Sequence, residues 1–117
     1  MTPEPQAALG WIAARRARVE ERLASVEGRL VSVREARSEW SDEEHDPEGF
    51  ALTFEWQQAE GAAREHRQEL VELDQAAARV REGRYGICTV CGNPIPDAQL
   101  ERTPTRTTCV AHADARR

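Results

Sequence analysis

The sequence contains no lysine: all 16 of its basic residues are arginine, set against 21 aspartates and glutamates for a net charge of −5. An acidic chain without a dense basic stripe is poorly built to neutralise a phosphate backbone, which argues against direct sequence-specific DNA binding and favours protein partners. Aromatics are scarce, at 5% of 117 residues, and the mean hydropathy is −0.71. One small domain, or a domain plus an extension, of this composition is not expected to bury a large core and usually needs a metal, a long packed helix pair or a partner. No apolar run approaches the ~18 residues that cross a bilayer. There is also no basic-then-apolar leader with a small-residue cleavage site, so the expectation is a cytosolic protein without a membrane partner.

Cysteine is nearly absent too, and the three that exist stand in one pattern with a histidine: Cys88, Cys91, Cys109 and His112, as C-x2-C-x17-C-x2-H. Two residues between ligands let both side chains of a tight turn point at one ion. The long spacer brings a second such turn to the opposite side and closes a tetrahedron. Three thiolates and one imidazole leave no open position, so the expected cofactor is a single structural Zn2+. Gly92 fits, because a turn that aims backbone N–H groups at sulfur often needs positive φ. The competing readings are a Cys88–Cys91 disulfide with a spare Cys109, and a solvated His112 outside any site. A reducing cytosol favours the metal over the disulfide.

The rest of the chain is patterned in heptads. Ile12, Val19, Val26, Val33 and Trp40 recur every seven residues, with Leu9, Arg16, Leu23, Leu30 and Arg37 as the second series. Together they predict one helix over about residues 4–40, on the order of 55 Å long. Thr2 is its expected cap, with Pro3 at the first helical position and Glu4 facing the dipole. A second seam runs through Leu52, Trp56, Ala59, Ala63, His66, Leu70, Leu73, Ala77 and Val80. Asp46-Pro47-Glu48 starts that helix as cap, first position and dipole partner, and Gly83 ends it. Two long helices with a short link pack antiparallel, layering Val33 with Trp56, Leu30 with Ala59 and Val19 with Leu70. His66 reads as a packed or edge residue rather than a ligand.

The expected fold is thus mainly α: an antiparallel coiled-coil hairpin over 1–82 and a small zinc-finger domain over 83–117. Prolines at 94, 96 and 104 predict loops and short extended pieces over 93–108, and the last five residues read as a fraying helical end. An intermolecular coiled coil would use the same seam, but the polar break at 41–49 favours a monomeric hairpin. That break is crowded with acid: Asp42, Glu43, Glu44, Asp46 and Glu48 lie within seven residues. Capping explains only Asp46 and Glu48. The others are either a solvated loop or a surface aimed at a cation-rich or metal-containing site on a partner.

Tyr85-Gly86-Ile87-Cys88-x2-Cys91-Gly92, followed by Ile95, Leu100-Glu101, Pro104-Thr105 and Cys109-x2-His112, resembles the zinc-finger end of the DksA/TraR family. His112 stands where that family usually has a fourth cysteine, and Gln99 where it often has arginine. The resemblance implies a non-enzymatic bacterial regulator that binds RNA polymerase and inserts its coiled-coil tip into the secondary channel. Some members act together with guanosine tetraphosphate, although no residues here match that nucleotide's basic site. The family's tip motif is Asp-x-x-Asp-x-Ala; Asp46 and Ala51 match it, and Gly49 stands at the second aspartate. Two other functions are open to the same residues. One is a dimerising coiled-coil adaptor with a zinc foot. The other is a thiol–disulfide oxidoreductase using Cys88-x-x-Cys91, which would call for βαβ elements around it.

Overall fold

The computed structural model describes residues 2–39 and 47–115. It is almost entirely helical: α1 spans Pro5–Glu39, α2 Pro47–Arg81 and α3 Asp97–Arg102, followed by a 3-10 segment at Val110–Ala115. α1 and α2 form the expected hairpin. Trp40, Asp42, Glu43, Glu44 and Asp46 lie outside the described residues.

Helix ends show how local chemistry sets the boundaries. α1 starts later than the Thr2–Pro3 reading. Glu4 is its cap: its carboxylate accepts from the Gln6 and Ala7 N–H groups at 3.2 and 3.0 Å, and its carbonyl accepts from Ala8 N–H at 3.0 Å. Pro5, not Pro3, takes the first helical position, where its missing N–H costs nothing. Pro3 is instead buried. α2 opens at Pro47 as expected. It closes in a Schellman motif, with Gly83 N–H on the Val80 carbonyl at 3.2 Å and Arg84 N–H on the Arg79 carbonyl at 2.9 Å. Gly83 supplies the left-handed residue at φ 74 that this ending requires.

Packing divides the chain into two units, residues 19–68 and residues 1–18 with 69–117. In the first, Leu30, Ala59 and Ala63 form a buried cluster with half-buried Leu23, Val26 and Trp56 against it. Leu30 and Ala59 therefore meet as the heptads require, small residue against large. Val19 and Val33 are also buried, His66 is half-buried, and Arg37 is exposed. Arg67 and Glu27 pair across the helices at 3.3 Å.

In the second unit the buried face is wider than a coiled-coil stripe. Ile12, Leu73, Ala76 and Ala77 are buried, and Ala8 is 1% exposed while its neighbour Leu9 is 36% exposed. The seam assignment at Leu9 is thus off by one residue. Arg16, also a seam position, pairs with Asp74 rather than entering a core. Arg15 holds Glu69 by two bonds, of 2.5 and 3.0 Å, which raises its already high pKa. The heptad rule fails here because the helix ends are covered by a third body, residues 83–115 and the N-terminal segment, and not only by each other.

That third body contains a helix where loops were expected. α3 follows Pro96 with Asp97 in its first turn, and Leu100 on it is fully buried. The prolines flank this helix rather than interrupt it, and Ala98, Gln99, Leu100, Glu101 and Arg102 between them are all good helix formers. Leu100 and Pro3 both press on Gly86, whose φ is +84. A β-carbon there would stand 2.7 Å from Pro3 Cδ and 3.2 Å from Leu100 Cδ1. Gly86→Ala is expected to cost about 1–2 kcal/mol in backbone strain alone, and more from the collision with the stiff proline ring. A chemical denaturation midpoint equal to that of the native chain would refute this close packing.

Candidate metal centre

Each of the four expected ligands is delivered by a turn whose backbone is pinned. Cys88 N–H donates to the Asn93 carbonyl and Gly92 N–H to the Cys88 carbonyl, both at 2.9 Å, so the first knuckle closes on itself. An isolated bridge pairs Ile87 with Pro94, and Thr89 N–H reaches the Thr107 carbonyl at 2.9 Å, joining the first turn to the strand-like approach of the second. Gly92 adopts the positive φ expected of it, 76. The second knuckle is the start of the 3-10 segment, where His112 N–H donates to the Cys109 carbonyl at 3.0 Å. His112 itself leaves helical geometry at φ −121 and ψ 26.

The result is a convergent set of donors. The Sγ atoms of Cys88, Cys91 and Cys109 and a ring nitrogen of His112 all lie within 4.8 Å of one another. Nδ1 of His112 is 3.8 Å from Cys88 Sγ and 3.2 Å from Cys109 Sγ, and Cys91 Sγ is 3.8 Å from Cys109 Sγ. A tetrahedron with Zn–S near 2.3 Å and Zn–N near 2.0 Å has edges of about 3.5–3.8 Å. The donor set and its dimensions both fit Zn2+. None of the three cysteines is joined to another by a disulfide in this structure.

The electrostatics of the cluster point the same way. Burial pushes the Cys88 thiol up, but backbone N–H groups of Cys91, Cys109 and Val90 aim at its sulfur and bring it down to about 6. Val90 N–H, at 3.4 Å from that sulfur, is one of these donors. Cys91 moves the other way: Asn93 N–H favours its thiolate, but desolvation and the neighbouring Cys88 and Cys109 sulfurs outweigh it. Three sulfurs this close cannot all carry charge without a cation between them. A divalent ion removes that conflict, and with four protein donors and no open position its role is to hold the fold.

Residues outside the spacing pattern support the knuckles. Tyr85 is buried, and its hydroxyl donates to the Pro104 carbonyl at 2.9 Å. Burial pushes its pKa up to about 12, with Asp97 adding to the rise and Arg79 opposing it. Ile95 N–H donates to the Gly86 carbonyl at 2.8 Å, and Ile95 is 2% exposed. The composition signal for these was the aromatic and aliphatic residues clustered in an otherwise polar segment. Thr108, beside Cys109, has no exposure, and its Oγ1 has no hydrogen-bond partner. An orphaned buried hydroxyl costs about 1–3 kcal/mol. Thr108→Val, which keeps the shape, is therefore expected to raise unfolding free energy by about 1 kcal/mol; a clear loss in urea denaturation would show that the hydroxyl has a partner after all.

Of the acidic residues singled out around the hairpin turn, Glu48 falls in the first turn of α2, and Ala51 is exposed on the same helix. Asp42, Glu43, Glu44 and Asp46 belong to the stretch outside the described residues.

Residues 83–111 match the family described as the prokaryotic dksA/traR C4-type zinc finger. His112, one residue beyond that match, stands where a C4-type finger has its last cysteine. Two curated relatives, each an RNA polymerase-binding transcription factor DksA, from Caulobacter vibrioides strains NA1000 / CB15N and ATCC 19089 / CIP 103742 / CB 15, are 49% identical over 39 residues. That stretch is 33% of this chain and 28% of each relative, so the chain spans less than a third of the length of the curated relatives it matches. The transcription factor DksA2 from Pseudomonas aeruginosa shares the fold over nearly the whole chain. Its structure superposes with a TM-score of 0.76 at 19% identity, covering 95% of this chain and 81% of that one. Residues 83–111 thus match the prokaryotic dksA/traR C4-type zinc finger, and the chain carries that stretch on a helical hairpin with the fold of DksA2.

Proposed function

We propose that this protein is a non-enzymatic regulator of transcription that binds RNA polymerase and inserts the turn of its hairpin into the secondary channel. The observation that carries the reading is the pairing of a dksA/traR-type finger with a DksA2-like hairpin in one chain. The Caulobacter relatives are RNA polymerase-binding transcription factors by name, which supports the same partner here. In this reading 83–117 is the base, held by one Zn2+ on Cys88, Cys91, Cys109 and His112, and 1–82 is the probe. Asp42, Glu43, Glu44, Asp46, Glu48 and Ala51 are the residues that meet the polymerase. The protein acts as a monomer in the cytoplasm; no described helix is long and apolar enough to cross a membrane.

A thiol–disulfide oxidoreductase is disfavoured by what surrounds Cys88 and Cys91. Among the described residues there is an isolated bridge but no β-strand, hence no βαβ unit to present the pair at a helix start. Both thiols also lie within 4.8 Å of a third thiol and an imidazole.

Two measurements test the proposal. A pull-down of the tagged full chain from its host's lysate is expected to recover polymerase subunits, and failure to do so with purified core polymerase would overturn the reading. The tip is tested by Asp46→Asn, which keeps most of the capping ability and removes the charge. This variant is expected to bind polymerase nearly normally and to lose most of its effect on transcription in vitro. Gly49→Asp, restoring an acid in the first turn where the dipole also favours it, is expected to strengthen that effect. If neither substitution changes transcription, the acidic turn is a solvated loop and the protein acts by occupancy or through its base.

A further inference from the structure

Within the 19–68 unit, Gly28 of α1 and Gly61 of α2 stand at one level of the hairpin. Leu30 and Ala59 meet in the buried cluster, and two steps back along α1 match two steps forward along the antiparallel α2. Both glycines are interior to helices of 35 residues, where only proline is a weaker helix former. Packing calls for neither. A β-carbon at Gly28 or at Gly61 would meet nothing within 4 Å, and neither has the positive φ of Gly83, Gly86 and Gly92. They therefore serve neither close approach nor a turn, and their effect is to weaken both helices at the same height.

A second observation marks the same level. Ser32 Oγ donates to the Gly28 carbonyl at 3.2 Å, the carbonyl that an α-helix assigns to the Ser32 N–H. Back-bonding of this kind competes with the backbone bond and bends helices, and glycine–serine pairs are among the places where helices kink. Gly28 and Ser32 are both exposed, so water can reach the shared carbonyl. The core beneath is made on the α2 side by Ala59 and Ala63, set against Leu30 and Val26, so a bend displaces few side-chain atoms. We infer that the hairpin is jointed at the Gly28–Gly61 level. Both helices run unbroken through it and bend there together, so that 29–39 with 51–60 changes direction relative to 19–27 with 62–68. Coincidence is what makes the joint, because one weak point alone would be splinted by the intact helix beside it. The joint is a property of the chain by itself. Only its use rests on the polymerase reading, in which the bent form is the one that enters the channel.

The test uses the full zinc-loaded chain and the double variant Gly28→Ala with Gly61→Ala, which the open space at both positions accommodates. Amide residual dipolar couplings of the wild type are expected to need two alignment tensors, the smaller for 29–39 with 51–60, and those of the double variant only one. Hydrogen exchange at amides 28–32 and 61–65 is expected to slow about 5-fold in the variant, the factor that alanine gains over glycine in a helix. Gly10→Ala is the control. Its β-carbon also meets nothing within 4 Å and brings the same gain in helix propensity, but away from the joint. It is expected to leave the two tensors and the exchange at 28–32 unchanged. A wild type described by one tensor, or a double variant that keeps two, overturns the joint. A second arm measures binding to purified core RNA polymerase. If the bent minor form is the one that binds, the double variant is expected to bind about 5-fold more weakly and Gly10→Ala as the wild type does. A jointed wild type that ignores polymerase refutes the polymerase reading and keeps the joint. A stiffened variant that binds polymerase unchanged refutes the use of the joint in entry.

Discussion

Stripping zinc from the protein, or replacing Cys109 by alanine, is expected to unfold residues 84–112 while most of the helical circular dichroism signal survives. The metal is the largest single stabilising term available to this segment: structural zinc sites supply roughly 10–16 kcal/mol of apparent folding free energy. Without the ion the segment has a six-residue helix, an isolated bridge and a few buried side chains, too little to offset the entropy of ordering it. α1 and α2 are 35 residues each and are built on their own seam, so they persist. The loss is not confined to the finger, however. Pro3 packs on Gly86 beside Leu100, and the N-terminal segment lines a small cavity of about 40 Å³ with Ala8, Val80, Gly83 and Tyr85. Amide protection at Gln6, Ala7 and Ala8 is therefore expected to fall together with that of the finger. By linkage the effect is reciprocal: Pro3→Ala should weaken zinc binding by the factor with which zinc strengthens the docked segment. Hydrogen exchange with and without a chelator measures the first effect, and competition with a chromophoric chelator the second. A chain purified under reducing conditions that holds no zinc and still protects residues 84–112 would refute the assignment.

Leu73→Ala is expected to cost about 2–5 kcal/mol, enough to lower Tm by on the order of 10 °C, whereas Val71→Ala two residues away should change stability by no more than about 0.5 kcal/mol. Leu73 has no exposure, and Val71 is 48% exposed. Two residues along a helix rotate the side chain by roughly 200°, so the pair samples opposite faces of α2 with nearly the same chemistry. The cost at Leu73 has two parts, lost transfer free energy and a cavity that alanine neighbours cannot close. Ala76 and Ala77 are already buried on the same stretch and have no side chain to move into the gap. Equal losses at the two positions in urea denaturation would mean that the buried face of α2 is misassigned.

The two sites carry different kinds of information. Cys88, Cys91, Cys109 and His112 could be assigned as ligands from spacing because a tetrahedral ion constrains short loops by distance alone, and the four donor atoms do converge. The heptads were equally legible where two helices face only each other: Val19, Leu30, Val33, Ala59 and Ala63 are buried as their periodicity requires. Near the finger the same rule misplaced Leu9 and could not register Ala8 or Ala76, since those positions answer to a third packed body. α3 was not legible because its flanking prolines, Pro96 and Pro104, are residues that break helices when inside them but border this one on either side.

By itself, then, the sequence determined the ligand spacing, the two long amphipathic helices, the Pro47 start and the Gly83 stop, all of which depend on residues within a few turns of one another. Only the tertiary structure decided that Glu4 rather than Thr2 caps α1, that Pro3 leaves the helix to pack on Gly86, and that Arg34 stacks on Trp56. The physical reason is the same in each case. Periodicity and capping report what a segment can do alone, whereas burial of Pro3 and stacking of Arg34 are contacts between residues 83 and 22 positions apart, whose energies exist only once the chain has brought them together.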